Sequence, residues 1–127
     1  MAQKEIIEID MERSNPNLSA ATKFGDLVFV SGQTGTHPVT GVLGEGIREQ
    51  TSFTIERIKV ILEKAGTSLN NVLSATTYLT KREDLEEYNK VYGEYFTGEK
   101  PARATVEVML NREELLVEIV VVACIPS

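Results

Sequence analysis

The strongest constraint on the fold is the C-terminal stretch of residues 115–125, LLVEIVVVACI, in which every residue except Glu118 is apolar. A short apolar run rich in β-branched residues is typical of a strand that is covered on both faces. The sequence therefore predicts a buried strand at about Leu116–Ile125. Because removing a carboxylate from water is costly, Glu118 is expected to hold a proton or to face a cation or a polar cleft.

Arg103 is the obvious candidate cation, since it lies fifteen residues before Glu118 in another segment that resembles a strand. One interpretation is a structural ion pair between neighbouring strands. The other is a site, because a guanidinium binds a carboxylate through two parallel hydrogen bonds, which favours a small carboxylic acid as the ligand. In a site, a desolvated Glu118 could act as a general acid and base, although a nearby Arg103 would pull its pKa down.

Length and charge limit the class of protein. The 127 residues, 42% of them apolar, are enough for a single domain spanning residues 1–127. A net charge of −6 argues against a nucleic-acid partner and against an anionic membrane surface. The sequence has no apolar stretch of membrane-spanning length and no signal-peptide pattern at its start, so a cytoplasmic location is expected. One cysteine excludes an intrachain disulfide, and a single histidine leaves few ligands for zinc.

Hydrophobic periodicity predicts seven elements in the order β-β-α-β-α-β-β. Gly32 is expected to end the second strand and Gly66 to cap the first helix. In that helix, Arg57 belongs to the charged set expected to face solvent. The last two strands are expected to pair antiparallel. The predicted bounds are Glu5–Ile9, Leu27–Ser31, Ile47–Ala65 (helix), Val72–Leu79, Glu83–Phe96 (helix), Arg103–Leu110 and Leu116–Ile125.

This order predicts an α+β fold, a mixed sheet with both helices on one face. Two helices cover only one face of a sheet, yet the last strand is apolar on both. The most economical cover for the second face is the same sheet in another subunit, so the sequence predicts an oligomer.

Few other residues suggest chemistry. No phosphate-binding glycine motif and no Ser-His-Asp arrangement is present. Ser31 and Gly32 follow an apolar strand, and Asn89 lies in the second predicted helix among tyrosines. Each has an ordinary interpretation, as a strand end or a surface amide, and the aromatic stripe of that helix is typical of core packing.

Several short motifs together resemble one family. They are Ser31-Gly32-Gln33, Pro38-Val39-Thr40-Gly41, Gln50-Thr51, Ala65-Gly66, Tyr88-Asn89-x-x-Tyr92 with Phe96, Pro101-Ala102-Arg103 and Val117-Glu118-Ile119. From about residue 18 to its C-terminus, the chain resembles the reactive intermediate deaminase family (Rid, or YjgF-like). The most specific part is Pro-Ala-Arg followed at the right distance by Val-Glu-Ile.

The resemblance implies a chorismate-mutase-like fold, and a homotrimer whose sheets form a central barrel with three active sites in clefts between subunits. It implies no cofactor. Deaminase-type members hydrolyse enamines and imines such as 2-aminoacrylate and 2-imino acids to 2-oxo acids and ammonia. By resemblance, Arg103 would bind the substrate carboxylate and Glu118 would position or activate water. Ser31, Gly32, Asn89 and the backbone at Thr105 would line the cleft.

Two positions depart from the deaminase pattern, because Leu18 stands where Tyr is usual and Thr105 where Cys is usual. These departures leave the substrate preference open. The alternative function is a non-catalytic trimer that binds small carboxylates or acts as a chaperone or translation regulator. Ribonuclease activity, with which many relatives are labelled, is disfavoured by the acidic charge and the lack of a basic aromatic groove.

Overall fold

The computed structural model describes residues 1–11 and 15–127, and within these ranges it contains six strands and two α-helices. Short 3₁₀ turns at Leu69–Asn71 and Arg82–Asp84 precede the fourth strand and the second helix. In chain order the elements are β1 (Glu5–Ile7), β2 (Ala21–Phe24), β3 (Leu27–Thr34), α1 (Gly46–Ala65), β4 (Val72–Leu79), α2 (Leu85–Tyr95), β5 (Ala102–Glu107) and β6 (Val117–Cys124).

The described strands form one mixed sheet in the order β1-β2-β3-β6-β4-β5. This confirms the predicted α+β class. The predicted antiparallel pairing of the last two strands is wrong, because β5 pairs parallel with β4 and β6 lies between β3 and β4. The connection through α2 makes β4-α2-β5 a β-α-β unit, which places its two strands parallel.

Two further differences concern the N-terminal half of the sheet. Strand β2 was not predicted, since its sequence ATKF has little hydrophobic periodicity. Strand β3 does not end at Gly32 but continues to Thr34 through an irregularity between Val30 and Gln33. Sequence periodicity cannot anticipate a bulge of this kind, because the residues before and after it keep a strand-like pattern.

The core lies between the sheet and the two helices. Alternate residues of β6 (Val117, Ile119, Val121 and Ala123) are buried there against α1. Gly66 ends α1 in the left-handed region at φ 94°, as predicted. Arg57 is only 8% exposed, so its prediction as a solvent-facing residue is wrong. Its guanidinium instead bonds to polar groups of β3 and the following loop.

The opposite face of the sheet carries neither of the two described helices and exposes several apolar side chains. Phe29, opposite Val122 on this face, is 44% exposed, and Leu27 and Val106 are similarly exposed. This is the face for which a second copy of the sheet was predicted, and that cover stays a prediction. None of the helices in the described ranges is long and apolar enough to span a membrane.

Candidate active site

Glu118 lies on the open face of the sheet. Its neighbours Val117 and Ile119 point into the core, and side chains alternate along a strand, so Glu118 points the other way. It lies opposite Thr34 of β3 and Tyr78 of β4. Partial burial raises the pKa of the Glu118 carboxyl above its ordinary value.

Arg103 lies on the helix face. It is paired with Ala75 in β4, and Ala75 is paired with the core residue Val121 in β6, so all three side chains share one face. Arg103 and Glu118 are thus on opposite faces of the sheet and two strands apart. Among the described residues neither makes an ion pair, and the structural ion pair considered from the sequence is wrong within one chain.

The Arg103 guanidinium rests on two aromatic rings of α2. Its Cζ atom is 4.7 Å from the ring centroid of Tyr92 and 5.4 Å from that of Tyr88, within the range of a cation–π interaction. Tyr92 in turn stacks on Phe96, with centroids 4.5 Å apart. We call Arg103, Tyr88 and Tyr92 the Arg103 cluster. Because ring faces support the guanidinium, its N–H groups keep their capacity for a carboxylate.

The two tyrosines differ in how their hydroxyl groups are placed. The Tyr88 hydroxyl shares a short hydrogen bond with the Thr77 hydroxyl, and burial raises the pKa of Tyr88 to about 12. The Tyr92 hydroxyl is buried, and the described part of the chain offers it no hydrogen-bond partner. The sequence favoured core packing for this stripe, with a role at a pocket or interface as the alternative. In the structure Tyr88 and Tyr92 belong to the core and also support Arg103. The i, i+4 spacing of the two tyrosines is the signal that places both rings on one face.

Thr105 and Asn89 flank the Arg103 cluster. Thr105 is two residues beyond Arg103 in β5, on the same face, and pairs with Thr77. Asn89 follows Tyr88 in α2 and is exposed. Both predicted lining residues are therefore on the elements that carry the Arg103 cluster, Thr105 on β5 and Asn89 on α2.

Ser31 and Gly32 lie beside Glu118, on β3. A β-carbon at position 32 would overlap Glu118 Oε2 and lie 2.8 Å from the carboxyl carbon, so only glycine leaves room for the Glu118 side chain in this position. The Ser31 hydroxyl donates to the Ser19 carbonyl oxygen at 2.6 Å. We call Ser31, Gly32 and Glu118 the Glu118 cluster. Leu18 and Gly32 line a common cavity of about 470 Å³.

The predicted site residues thus fall into two groups separated by the sheet. One group offers a planar cation and the other a partly desolvated carboxyl, and a single chain does not bring them together.

Across residues 1–11 and 15–127, no three His, Cys, Asp or Glu side chains gather as metal ligands would. The expected lack of a cofactor stays a prediction.

Sequence and structure comparisons define the class of protein to which this fold and these residues belong. Residues 12–125 match the family model described as Endoribonuclease L-PSP. The chain therefore belongs to this family, the Rid or YjgF family, as the motifs predicted.

Individual relatives agree with the family assignment. The chain is 46% identical to a RutC family protein of Pyrococcus abyssi over 106 residues, 83% of this chain and 84% of the relative. It is 34% identical to the Rid family protein YyfA of Yersinia pestis, whose crystal structure matches with a TM-score of 0.90 over 96% of this chain and 99% of that one. RidA of an Antarctic Psychrobacter is 35% identical, with a TM-score of 0.88 over 94% and 98% of the two chains.

Proposed function

We propose that this protein is a hydrolase of the imine deaminase type. It converts 2-aminoacrylate and 2-imino acids, such as 2-iminopropanoate and 2-iminobutanoate, to 2-oxo acids and ammonia. The observation that carries the proposal is the state of Glu118: its carboxyl has no cation beside it within the described chain and has a raised pKa. Such a group is suited to exchanging a proton and is not a counter-charge for Arg103 of its own chain.

In the proposed reaction, the Arg103 guanidinium binds the substrate carboxylate through two parallel hydrogen bonds. The Glu118 carboxylate takes a proton from water as the water oxygen bonds to C2 of the imine. As that bond forms, the C=N π electrons move to the nitrogen, which takes this proton and becomes an amine on a tetrahedral carbon. The hydroxyl proton of this intermediate then passes to the amine nitrogen by way of Glu118, the C–N bond breaks, and ammonia leaves as the carbonyl forms. Ser31, Gly32, Asn89 and the backbone at Thr105 line the cleft around the substrate.

The site is proposed to form between two copies of the chain. Arg103 and Glu118 lie on opposite faces of one sheet, so one substrate reaches both only if the two residues come from different subunits. The uncovered apolar face that includes Phe29 and Val122 supports such an assembly, since an exposed face of this kind favours association. We propose a homotrimer of about 42 kDa, three times the 14.1 kDa chain, which light scattering would measure.

The test is a coupled assay in which 2-aminoacrylate is generated slowly and the appearance of pyruvate is followed with and without the protein. Faster pyruvate formation supports the proposal. Binding of pyruvate without any acceleration would favour the non-catalytic carboxylate-binding trimer instead. The cytoplasmic location and the lack of a nucleic-acid partner stay predictions.

A further inference from the structure

Strand β3 contains a bulge at the point where it meets Glu118. Val30 pairs with Val121 of β6 and Gln33 pairs with Ile119, so both Ser31 and Gly32 stand opposite the single residue between them. The Ser31 amide instead donates to the Ala20 carbonyl oxygen at 3.0 Å. We call residues 30–33 the β3 bulge.

Gln33 holds this bulge through its side-chain amide. The Gln33 Nε2 group donates to the Ser31 carbonyl oxygen at 3.0 Å, and Gln33 Oε1 accepts from Arg57 Nε at 2.9 Å. Because a guanidinium only donates, Arg57 requires the oxygen of the amide on its side and thereby turns the NH₂ group toward Ser31. Gln33 is 7% exposed, so water competes little for these bonds.

Arg57 also joins the bulge to the helix layer. It projects from α1, and a further hydrogen bond, from Nη1 to Thr36 Oγ1 at 3.0 Å, reaches the loop that follows β3. A rigid helix therefore fixes the Gln33 amide, and the amide fixes the Ser31 carbonyl. Two hydrogen bonds, Arg57 to Gln33 and Gln33 to the Ser31 carbonyl oxygen, thus lead to the Gly32 backbone, which closely approaches the Glu118 carboxyl.

The position of the bulge decides where the Glu118 carboxyl can lie. The carboxyl occupies the space that a side chain at position 32 would fill, so a shift of the Gly32 backbone must move the carboxyl or open a gap beside it. A displacement of about 1 Å of a reacting group lowers turnover by up to about 100-fold. The Arg103 cluster shares none of these hydrogen bonds, because β5, which carries Arg103, lies three strands away from β3 in the sheet.

We propose that Gln33, oriented by Arg57, is a positioning residue for Glu118. The proposal rests on the proposed function, because it assigns Gln33 a part in the turnover at that same site. A positioning role can be distinguished from a purely structural one. Loss of a structural residue would lower stability, whereas loss of a positioning residue would lower kcat without an equal loss of ligand binding.

The variant Gln33→Glu tests this step. A carboxylate at position 33 still accepts from Arg57, as an ion pair, so the fold keeps its partner for the buried guanidinium. It no longer donates to the Ser31 carbonyl and instead repels that oxygen. We expect kcat to fall by about 10- to 100-fold, while the dissociation constant for pyruvate changes by less than about threefold, because the carboxylate-binding Arg103 is untouched.

Two further variants make the result specific. Gln3→Glu adds the same charge at an exposed position and should leave both kcat and pyruvate binding as in the wild type. Arg57→Met keeps a long apolar side chain but frees the Gln33 amide to rotate, and is expected to lower kcat in the same direction as Gln33→Glu. Unchanged kcat in Gln33→Glu would overturn the proposal. A loss of turnover that accompanies an equal loss of pyruvate binding and a large fall in melting temperature would also overturn it.

Amide hydrogen exchange separates this proposal from the proposed function. If the wild type shows no deaminase activity, the function fails, but the exchange of the Ser31 amide still reports on the bulge. Faster exchange at Ser31 in Gln33→Glu, with unchanged exchange at the core residue Val121, supports the positioning role. Equal exchange at Ser31 in the two proteins would refute it.

Discussion

The Arg103 cluster and the Glu118 cluster differ in how each holds its charged group. Arg103 is exposed and rests on the faces of Tyr88 and Tyr92, so its hydrogen-bonding groups keep their capacity for a ligand. Glu118 is half-buried against a glycine, and its pKa is raised. Had the two met as an ion pair within one chain, the guanidinium would have been occupied and the pKa of Glu118 would have been lowered. Their separation by the sheet keeps the cation ready for an anionic ligand and the carboxyl ready for proton transfer.

The largest effect is expected from Glu118→Gln. The change keeps the volume and the hydrogen-bonding capacity of the side chain but removes proton exchange, so turnover should fall by about 10²–10⁴-fold. Pyruvate binding should be largely retained, because the Arg103 cluster is unaltered. The coupled pyruvate assay measures the first and calorimetric titration the second. Glu113→Gln, at an exposed position, is the matched control, and near-normal turnover in Glu118→Gln would remove Glu118 from the chemistry.

A smaller effect is expected from Arg103→Lys. Lysine keeps the charge but lacks the planar fork, so pyruvate should bind about 10- to 100-fold more weakly, a change of about 1.5–3 kcal/mol. The oligomer should persist in light scattering. If the affinity for pyruvate is unchanged, the assignment of Arg103 as the residue that binds the substrate carboxylate is wrong. The Arg103 cluster would then have no role in ligand binding.

The aromatic rings that support Arg103 should contribute less to pyruvate binding than the guanidinium itself. Replacing Tyr92 with Leu removes the closer ring and should weaken pyruvate binding by about 0.5–1 kcal/mol, the usual size of an exposed cation–π interaction. Tyr92→Phe is the control, because the buried Tyr92 hydroxyl has no hydrogen-bond partner in the described part of the chain. Equal losses in the two variants would point to the hydroxyl and not to the ring face.

The smallest effect concerns stability and pH. The folded pKa of Glu118 lies above its ordinary value of 4.5, so the folded state favours the protonated carboxyl and loses stability as pH rises through that range. Glu118→Gln should therefore melt slightly higher than the wild type at pH 7, and the difference should shrink as pH falls below about 4.5. Thermal denaturation at several pH values measures it. A lower melting temperature for the variant at pH 7 would show that Glu118 is a counter-charge, paired across subunits.

Much of the fold could be predicted from local sequence patterns. The wrong prediction of strand pairing arose because that pairing depends on residues far apart in the sequence. The bounds of β4 and the cap at Gly66 depend on neighbouring residues only, and both were predicted correctly. The strand with which β5 pairs depends on the path of the chain through α2. Most residues of β5 are exposed, as in an edge strand, and β5 lies at the edge of the sheet next to β4. The fact that β6 follows β5 in the sequence does not reveal this pairing. Long-range pairing of this kind is set by topology and not by propensity.

The same distinction applies to the candidate site. Glu118 could be found because a lone carboxyl in an apolar strand conflicts with burial. Arg103 could be found because it is a cation in a nearby strand-like segment, and the family motif contains it as well. That they lie on opposite faces could not be found, since the face of Arg103 depends on the register of β5 against β4. The role of Arg57 escaped because helical periodicity groups it with solvent-facing charges, while its acceptors, Gln33 and Thr36, are more than twenty residues away.

The central claim, that one site takes Arg103 and Glu118 from different subunits, is tested most directly by mixing two inactive variants. Arg103→Ala and Glu118→Gln are each expected to have almost no turnover alone. Co-expressed in equal amounts, they should recover about one quarter of wild-type activity, because a random trimer pairs an intact Arg103 with a neighbour's intact Glu118 at about one interface in four. Mixed trimers, verified by mass spectrometry, that stay as inactive as the parents would contradict the account.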